Sequence, residues 1–121
     1  MARYLHLPIF QAVYDLSLEI HQRVSNFPRV HKHSIGEKLK DTALDLMDSV
    51  VKANSAKDKK VLLQEAESIL ERLKIYIRLC FDLKILGIKS FEFLSRKTDE
   101  ISRQLSKWKE WAVKQGGQRL S

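Results

Sequence analysis

The sequence predicts an all-α fold, an antiparallel up-down-up-down four-helix bundle formed by a single domain over residues 1–121. Apolar residues recur at steps of three and four in four segments, which is the spacing of one face of an α-helix. The breaks between these segments are short and polar, so consecutive helices should be antiparallel neighbours. Four glycines and two prolines in 121 residues are too few turn formers for a β-sandwich. We expect the helices at about residues 8–26, 34–55, 58–86 and 90–115.

The first predicted helix begins at Pro8, since proline suits a first helical turn. It should end near Asn26, because Phe27 precedes Pro28 and is therefore biased away from helical dihedral angles. Its apolar face contains Ile9, Val13, Leu16, Ile20 and Val24.

The second predicted helix begins at Ser34, which has the pattern of a capping box with Glu37 three residues later. Its outer face carries Glu37 and three aspartates, so this face is a poor site for nucleic acid. The polar segment "KANSAKDKK" separates this helix from the next. The apolar seam is formed by Ile35, Leu39, Thr42, Leu46, Val50 and Ala53.

The third predicted helix is closed by Gly87, and the fourth is capped by Ser90 and ended by Gly116 and Gly117. The third has the seam Leu62, Ala66, Ile69, Leu73, Tyr76, Cys80 and Leu83. The fourth alternates steps of three and four through Phe91, Leu94, Thr98, Ile101, Leu105, Trp108 and Ala112. A seam of this kind suits helices that cross at about +20°.

Apolar residues cover well over half the circumference of the third helix, more than a core-facing stripe usually needs. The surplus surface predicts self-association, because large exposed apolar patches are uncommon on soluble monomers. A broad-faced central helix is the alternative. Arg72 falls inside this apolar arc, either as a side chain whose head reaches water or as an interface arginine.

The composition favours an anionic partner, since the net charge is +7 and the isoelectric point is near 9.6. Nucleic acid, an acidic protein and anionic lipid all satisfy this requirement. No apolar run approaches the roughly 20 residues of a membrane span, and "MARYLHLPIF" lacks the features of a signal peptide. We therefore expect a cytoplasmic protein that does not use a membrane.

The single cysteine, Cys80, is expected to be a buried apolar filler.

The strongest candidate site is a basic stripe on the fourth helix, opposite its apolar seam. Its members lie within about 40° of one another on a helical wheel. A merely solvated charged face is the alternative interpretation. The stripe consists of Lys89, Arg96, Arg103, Lys107 and Lys114.

Further candidates for phosphate contact lie outside the stripe. In an up-down bundle the lysines of residues 52–60 should lie near the end of the fourth helix, and residues 29–33 should lie at the opposite end. Phosphate is the commonest polyanion for such basic ends, which favours binding without sequence preference. These additional candidates are Arg29, Lys32, Arg72, Lys74 and Arg78.

The sequence carries no recognisable catalytic or cofactor-binding pattern. It lacks a Gly-rich phosphate loop, CxxC, HExxH and GxSxG, and no Glu-x-x-His pair suits a di-iron bundle. His31 and His33 have no cysteine or carboxylate beside them, so they make a poor metal site. We therefore expect no enzyme activity, no cofactor and no metal.

Several short segments resemble a known family. They are Phe27-Pro28-Arg29, Ile35-Gly36-Glu37-Lys38-Leu39, Ala53, Leu70, Leu73, Arg78-Leu79, Gly87 and the seam from Ile101 to Trp108. From about Ile9 to Ala112 the chain resembles four-helix-bundle proteins related to those encoded in ribosomal RNA intervening sequences. Within that group it is most similar to the accessory variability determinants of diversity-generating retroelements.

This resemblance implies a basic, barrel-like homopentamer that binds DNA and RNA with little sequence preference. It also implies association with the retroelement reverse transcriptase, where the protein supports mutagenic copying of template RNA into cDNA without performing chemistry. The alternative is a basic helical adaptor that docks an acidic protein and needs no nucleic acid. A cationic membrane-surface helix is disfavoured, because every predicted helix uses its apolar face in the core.

Overall fold

The structure is a computed structural model that describes the backbone of residues 7–120 and the side chains of residues 7–115. Four long helices and one short helix account for nearly all of this part of the chain, and no strand occurs within it. The helices are α1 (Pro8–Val24), α2 (Arg29–Lys32), α3 (Ile35–Ser55), α4 (Lys60–Asp82) and α5 (Ile88–Leu120).

The long helices form the predicted four-helix bundle. α3 packs against α1 and α4, while α5 packs against the other sides of α1 and α4. This leaves α3 and α5 on one diagonal of the bundle. α4 and α5 are antiparallel, because the Phe81 and Phe91 rings stack at one end, 4.4 Å apart, and Lys109 pairs with Glu67 towards the other.

The predicted apolar seams form one continuous core between the four long helices. Val13, Leu46, Leu73 and Ile101 each expose 1% or less of their surface, which shows that all four helices contribute. The two threonines in the seams, Thr42 and Thr98, are also buried. Their hydroxyls donate hydrogen bonds to the carbonyls of Lys38 and Ser95, so neither hydroxyl is left unsatisfied in the core.

The connection between the first two long helices differs from the prediction. α1 ends at Val24, two residues early, and the one-turn helix α2 lies within the expected loop. Ser34 does precede α3, but the predicted capping box does not form. Its hydroxyl donates to the carbonyls of Val30 and His31 instead, because α2 places these acceptors within reach.

The end of α4 is also different, since the helix stops at Asp82 and not near residue 86. Lys84 adopts the left-handed conformation with φ of 64°. The Lys84 and Ile85 amides donate to the carbonyls of Phe81 and Cys80, which is the hydrogen-bond pattern of a Schellman motif. Lys84 therefore occupies the position that the sequence assigned to Gly87, whose φ is not positive.

Both predicted ends of the last helix were wrong. α5 begins at Ile88, so Ser90 lies inside the first turn, where its hydroxyl accepts a hydrogen bond from Arg23 of α1. The helix continues through Gly116 and Gly117 to Leu120. Glycine in a helix interior costs roughly 1 kcal/mol relative to alanine but does not forbid helical dihedral angles.

Candidate nucleic-acid interface

The basic stripe lies on the outer face of α5, since the opposite face of this helix packs into the core. Leu94, Ile101 and Leu105 are buried there, whereas all five stripe residues are exposed. Lys114 lies 3.8 Å from Glu110, and both side chains remain well exposed. The other four form no ion pair with any residue in the described range 7–115. The stripe therefore presents cations that the bundle itself does not neutralise.

The middle of the stripe borders a shallow open groove. Arg96 and Arg103 line it together with Phe93, Lys97, Asp99 and Glu100. Lys97 lies over the Phe93 ring, 5.5 Å from its centroid. The groove is too open to enclose a small molecule, but an extended strand crossing it would meet the two stripe arginines.

Three of the other candidate residues are engaged by carboxylates within the bundle. Arg72 lies 3.5 Å from Asp45 of α3, so its head reaches the surface beside the acidic face. Lys74 lies 3.6 Å from Asp99 of α5 and 3.4 Å from Glu71. Arg78 contacts both carboxylate oxygens of Asp82 at 3.2 Å. A phosphate at any of these residues has to share the cation with a neighbouring carboxylate.

Arg29 and Lys32 belong to α2, and the fold brings them to the end of the bundle where α5 begins. Arg23 near the end of α1 donates a hydrogen bond to Ser90 in the first turn of α5. The end of α1, and α2 directly after it, therefore lie beside the beginning of α5. Arg29 is exposed and Lys32 is half-buried. This end therefore combines two candidates from α2 with Lys89 of the stripe, as the topology predicts.

Three structural cations were not recognised in the sequence as such. The Lys59 ammonium donates to the carbonyls of Ala53, Asn54 and Ala56, each at 2.9 Å. Lys109 pairs with Glu67 at 2.8 Å, and Arg23 lies over Phe93 at 5.3 Å from the ring centroid. No local pattern identifies these residues, because each contact depends on how the chain turns or which helix lies beside it.

Charge is segregated across the bundle. Asp41, Asp45 and Asp48 are exposed on α3, and Glu37 of the same helix pairs with Lys40 at 3.0 Å. Because α3 and α5 lie on a diagonal, this acidic face points away from the basic stripe. A polyanion would therefore meet the cations of the stripe on one side of the bundle and these carboxylates on the other.

α4 exposes the surplus apolar surface that its sequence predicts. Val61 and Ile75 are each more than 60% exposed, and Leu79 and Leu83 are more than 40% exposed. These residues lie on the side of α4 opposite its core positions. We call Val61, Ile75, Leu79 and Leu83 the α4 patch.

The described residues offer little support for a reactive cysteine, a metal site or a membrane span. Burial raises the pKa of the Cys80 thiol to about 11, so the nucleophilic thiolate is scarce near neutral pH. Within residues 7–115, no group of three or more His, Cys, Asp or Glu side chains has the geometry to hold a metal ion. None of the helices in this part of the chain combines the length and apolar character needed to cross a membrane.

Comparison with known proteins agrees with the fold and the resemblance. The chain matches the model of the bAvd-like family over residues 7–112. No match was found among curated proteins. The family match includes α1, α3 and α4 in full and α5 as far as residue 112, and it confirms the resemblance described from the sequence. Because it covers most of the chain, the protein belongs to the bAvd-like family.

Proposed function

We propose that this protein is a non-enzymatic accessory protein of a diversity-generating retroelement. It binds template RNA and cDNA through the basic stripe, with little sequence preference, and holds them near the reverse transcriptase during mutagenic copying. The observation that carries this proposal is the row of cations on α5, four of them without an ion pair inside residues 7–115. Family membership supports the retroelement role.

The basic stripe is long enough to contact several successive phosphates of a nucleic-acid strand. From Lys89 to Lys114 it extends about 37 Å along the helix, at 1.5 Å per residue. If each of the five cations neutralises one phosphate, log K falls with log salt with a slope of about −3.5 for a single strand. Binding of this kind depends on the backbone charge and not on base identity.

Replacing Arg96 and Arg103 together with alanine should weaken binding and lower the magnitude of the salt slope by about 1.4 for a single strand, because two phosphate contacts are lost. The measurement is a titration of fluorescently labelled single-stranded RNA and DNA at several salt concentrations. Several unrelated sequences of equal length should bind with similar affinity.

The matched control removes Arg72 and Arg78, two arginines on α4 that already pair with Asp45 and Asp82. This variant loses the same formal charge as the stripe variant. A smaller change of its salt slope would therefore show that the position of the arginines, and not the net charge of the protein, determines the loss of binding. Equal changes in both variants would count against the stripe. No binding by the unaltered protein at low salt would reject the proposal and favour the protein adaptor.

We further propose that the protein self-associates, as a homopentamer in line with the family resemblance, and that the α4 patch is part of the contact between copies. Replacing Ile75 and Leu79 with glutamine should lower the molar mass measured by light scattering, since the apolar contact is lost. Val113→Gln on α5 is the control, because Val113 is 47% exposed outside the patch. A monomeric unaltered protein at micromolar concentration would contradict self-association.

Association with the reverse transcriptase is tested separately. Co-purification of the tagged protein with the polymerase of the same retroelement should occur after nuclease treatment if the two proteins touch directly. Loss of the complex on nuclease treatment would show that nucleic acid alone joins them. The proposed site of action is the cytoplasm.

A further inference from the structure

A half-exposed tryptophan borders the basic stripe at the far end of α5. Trp111 exposes 50% of its surface. It lies four residues after Lys107 and three residues before Lys114, and residues at these separations are neighbours on a helix surface. A large apolar ring therefore lies between two of the cations that the proposed function assigns to phosphates.

The register of α1 explains why Trp111 is not covered by that helix. Arg23 of α1 reaches Ser90 and Phe93 of α5. α1 begins at Pro8, 15 residues before Arg23. Because α5 runs antiparallel to α1, the beginning of α1 lies beside the residues 15 positions after Ser90 and Phe93, which are Leu105 and Trp108. Trp111 lies beyond this level. Trp108, one turn earlier, still packs against the core.

The other aromatic rings near α5 already have partners, whereas Trp111 has none among residues 7–115. Phe93 lies on the same side of the helix but has Arg23 and Lys97 over its ring. Phe91 stacks on Phe81. Within residues 7–115 neither a ring nor a cation lies over the indole of Trp111, and half of its surface is exposed.

We propose that Trp111 stacks on an unpaired base of a single strand whose flanking phosphates are held by Lys107 and Lys114. This inference rests on the proposed function, because it adds a base contact to the same interface. Stacking on an aromatic side chain tolerates every base, since each base has a π-face. Bases inside a duplex are already stacked on their neighbours, so Trp111 gives the interface a preference for single strands.

Trp111→Leu should weaken binding of a 12-nucleotide single strand about 5- to 150-fold, the range that loss of one stacked base produces. Affinity for a 12-base-pair duplex should stay within about twofold. The salt slope for the single strand should not change, because no phosphate contact is removed. Trp111→Phe should retain most of the affinity, since a ring remains available.

Tyr14→Leu is the matched control, because Tyr14 is an aromatic residue of similar exposure, 43%, on α1. It should bind both nucleic acids like the unaltered protein. Circular dichroism should show that each variant keeps the helical content of the unaltered protein, and the melting temperature should show that each is fully folded at the temperature of the binding assay.

A fluorescence titration on the Trp108→Phe variant gives a direct readout, because Trp111 is then the only tryptophan. Addition of a single strand should quench its emission, and addition of duplex should quench it much less. Unchanged single-strand affinity in Trp111→Leu would overturn the inference, as would equal losses for single strand and duplex. Failure of the unaltered protein to bind either nucleic acid would instead reject the proposed function.

Discussion

Replacing Gly36 with alanine should lower the free energy of unfolding by up to about 2 kcal/mol. A Cβ added at this position would lie 2.7 Å from Cγ1 of Val24 and 3.0 Å from the carbonyl oxygen of His31. Val24 is buried and the carbonyl belongs to the backbone, so neither atom can move cheaply. Overpacking of this kind typically costs about 1–3 kcal/mol, and the helix propensity of alanine offsets roughly 1 kcal/mol of it.

Urea denaturation at fixed protein concentration measures this change, and Gly87→Ala is the control. A Cβ at Gly87 meets no atom within 4 Å, so the stability of this variant should equal that of the unaltered protein or exceed it by up to about 1 kcal/mol. Val24→Ala removes the nearest clashing methyl, so the double variant should lose less stability than the sum of the single variants. Equal stability of the Gly36→Ala and Gly87→Ala variants would show that α1 and α3 do not approach so closely.

Replacing Lys59 with methionine should lower the free energy of unfolding by about 2 kcal/mol. Its ammonium group donates to three carbonyls at the C-terminal end of α3, those of Ala53, Asn54 and the capping residue Ala56, where the helix carries its negative dipole end. Hydrogen bonds to charged groups contribute about 1.5–3 kcal/mol when formed within a protein, and partial exposure of Lys59 lowers the total. Methionine keeps the apolar stem but offers no donor.

Lys57→Met is the control for this measurement, since Lys57 is exposed in the same connection and carries the same charge. It should leave stability within about 0.5 kcal/mol of the unaltered protein. Stability measured by urea denaturation should therefore separate two lysines that look equivalent in "KANSAKDKK". Similar stability in both variants would contradict the capping role of Lys59.

The close packing at Gly36 gives a structural reason for one of the segments that resemble the family. It lies in the Ile35–Glu37 segment that contributed to the resemblance, and it allows α3 to approach the end of α1. The same contact positions α2, which carries Arg29 and Lys32. A change at Gly36 is therefore expected to disturb the basic end of the bundle as well as its stability.

The helix ends show where the sequence was a poor guide. Ser34 lies at the predicted position but bonds to carbonyls of α2, a helix that local patterns did not reveal. α4 ends through Lys84 in a left-handed conformation, although a glycine was available three residues later. Such ends depend on which acceptors the neighbouring turn brings within reach, and apolar spacing contains no information about them.

The spacing of apolar residues is enough to predict the four long helices, the faces they bury and the outward direction of the basic stripe. These features follow from the period of the α-helix, which is local, and from the need to bury the apolar face. The set of cations without an ion pair could not be predicted in this way. It depends on the packing of the helices, because pairs such as Lys109 with Glu67, 42 residues apart, form between neighbouring helices. The position of Trp111 beyond the start of α1 also depends on this packing, since the exposure of a side chain depends on the length and register of the helices around it.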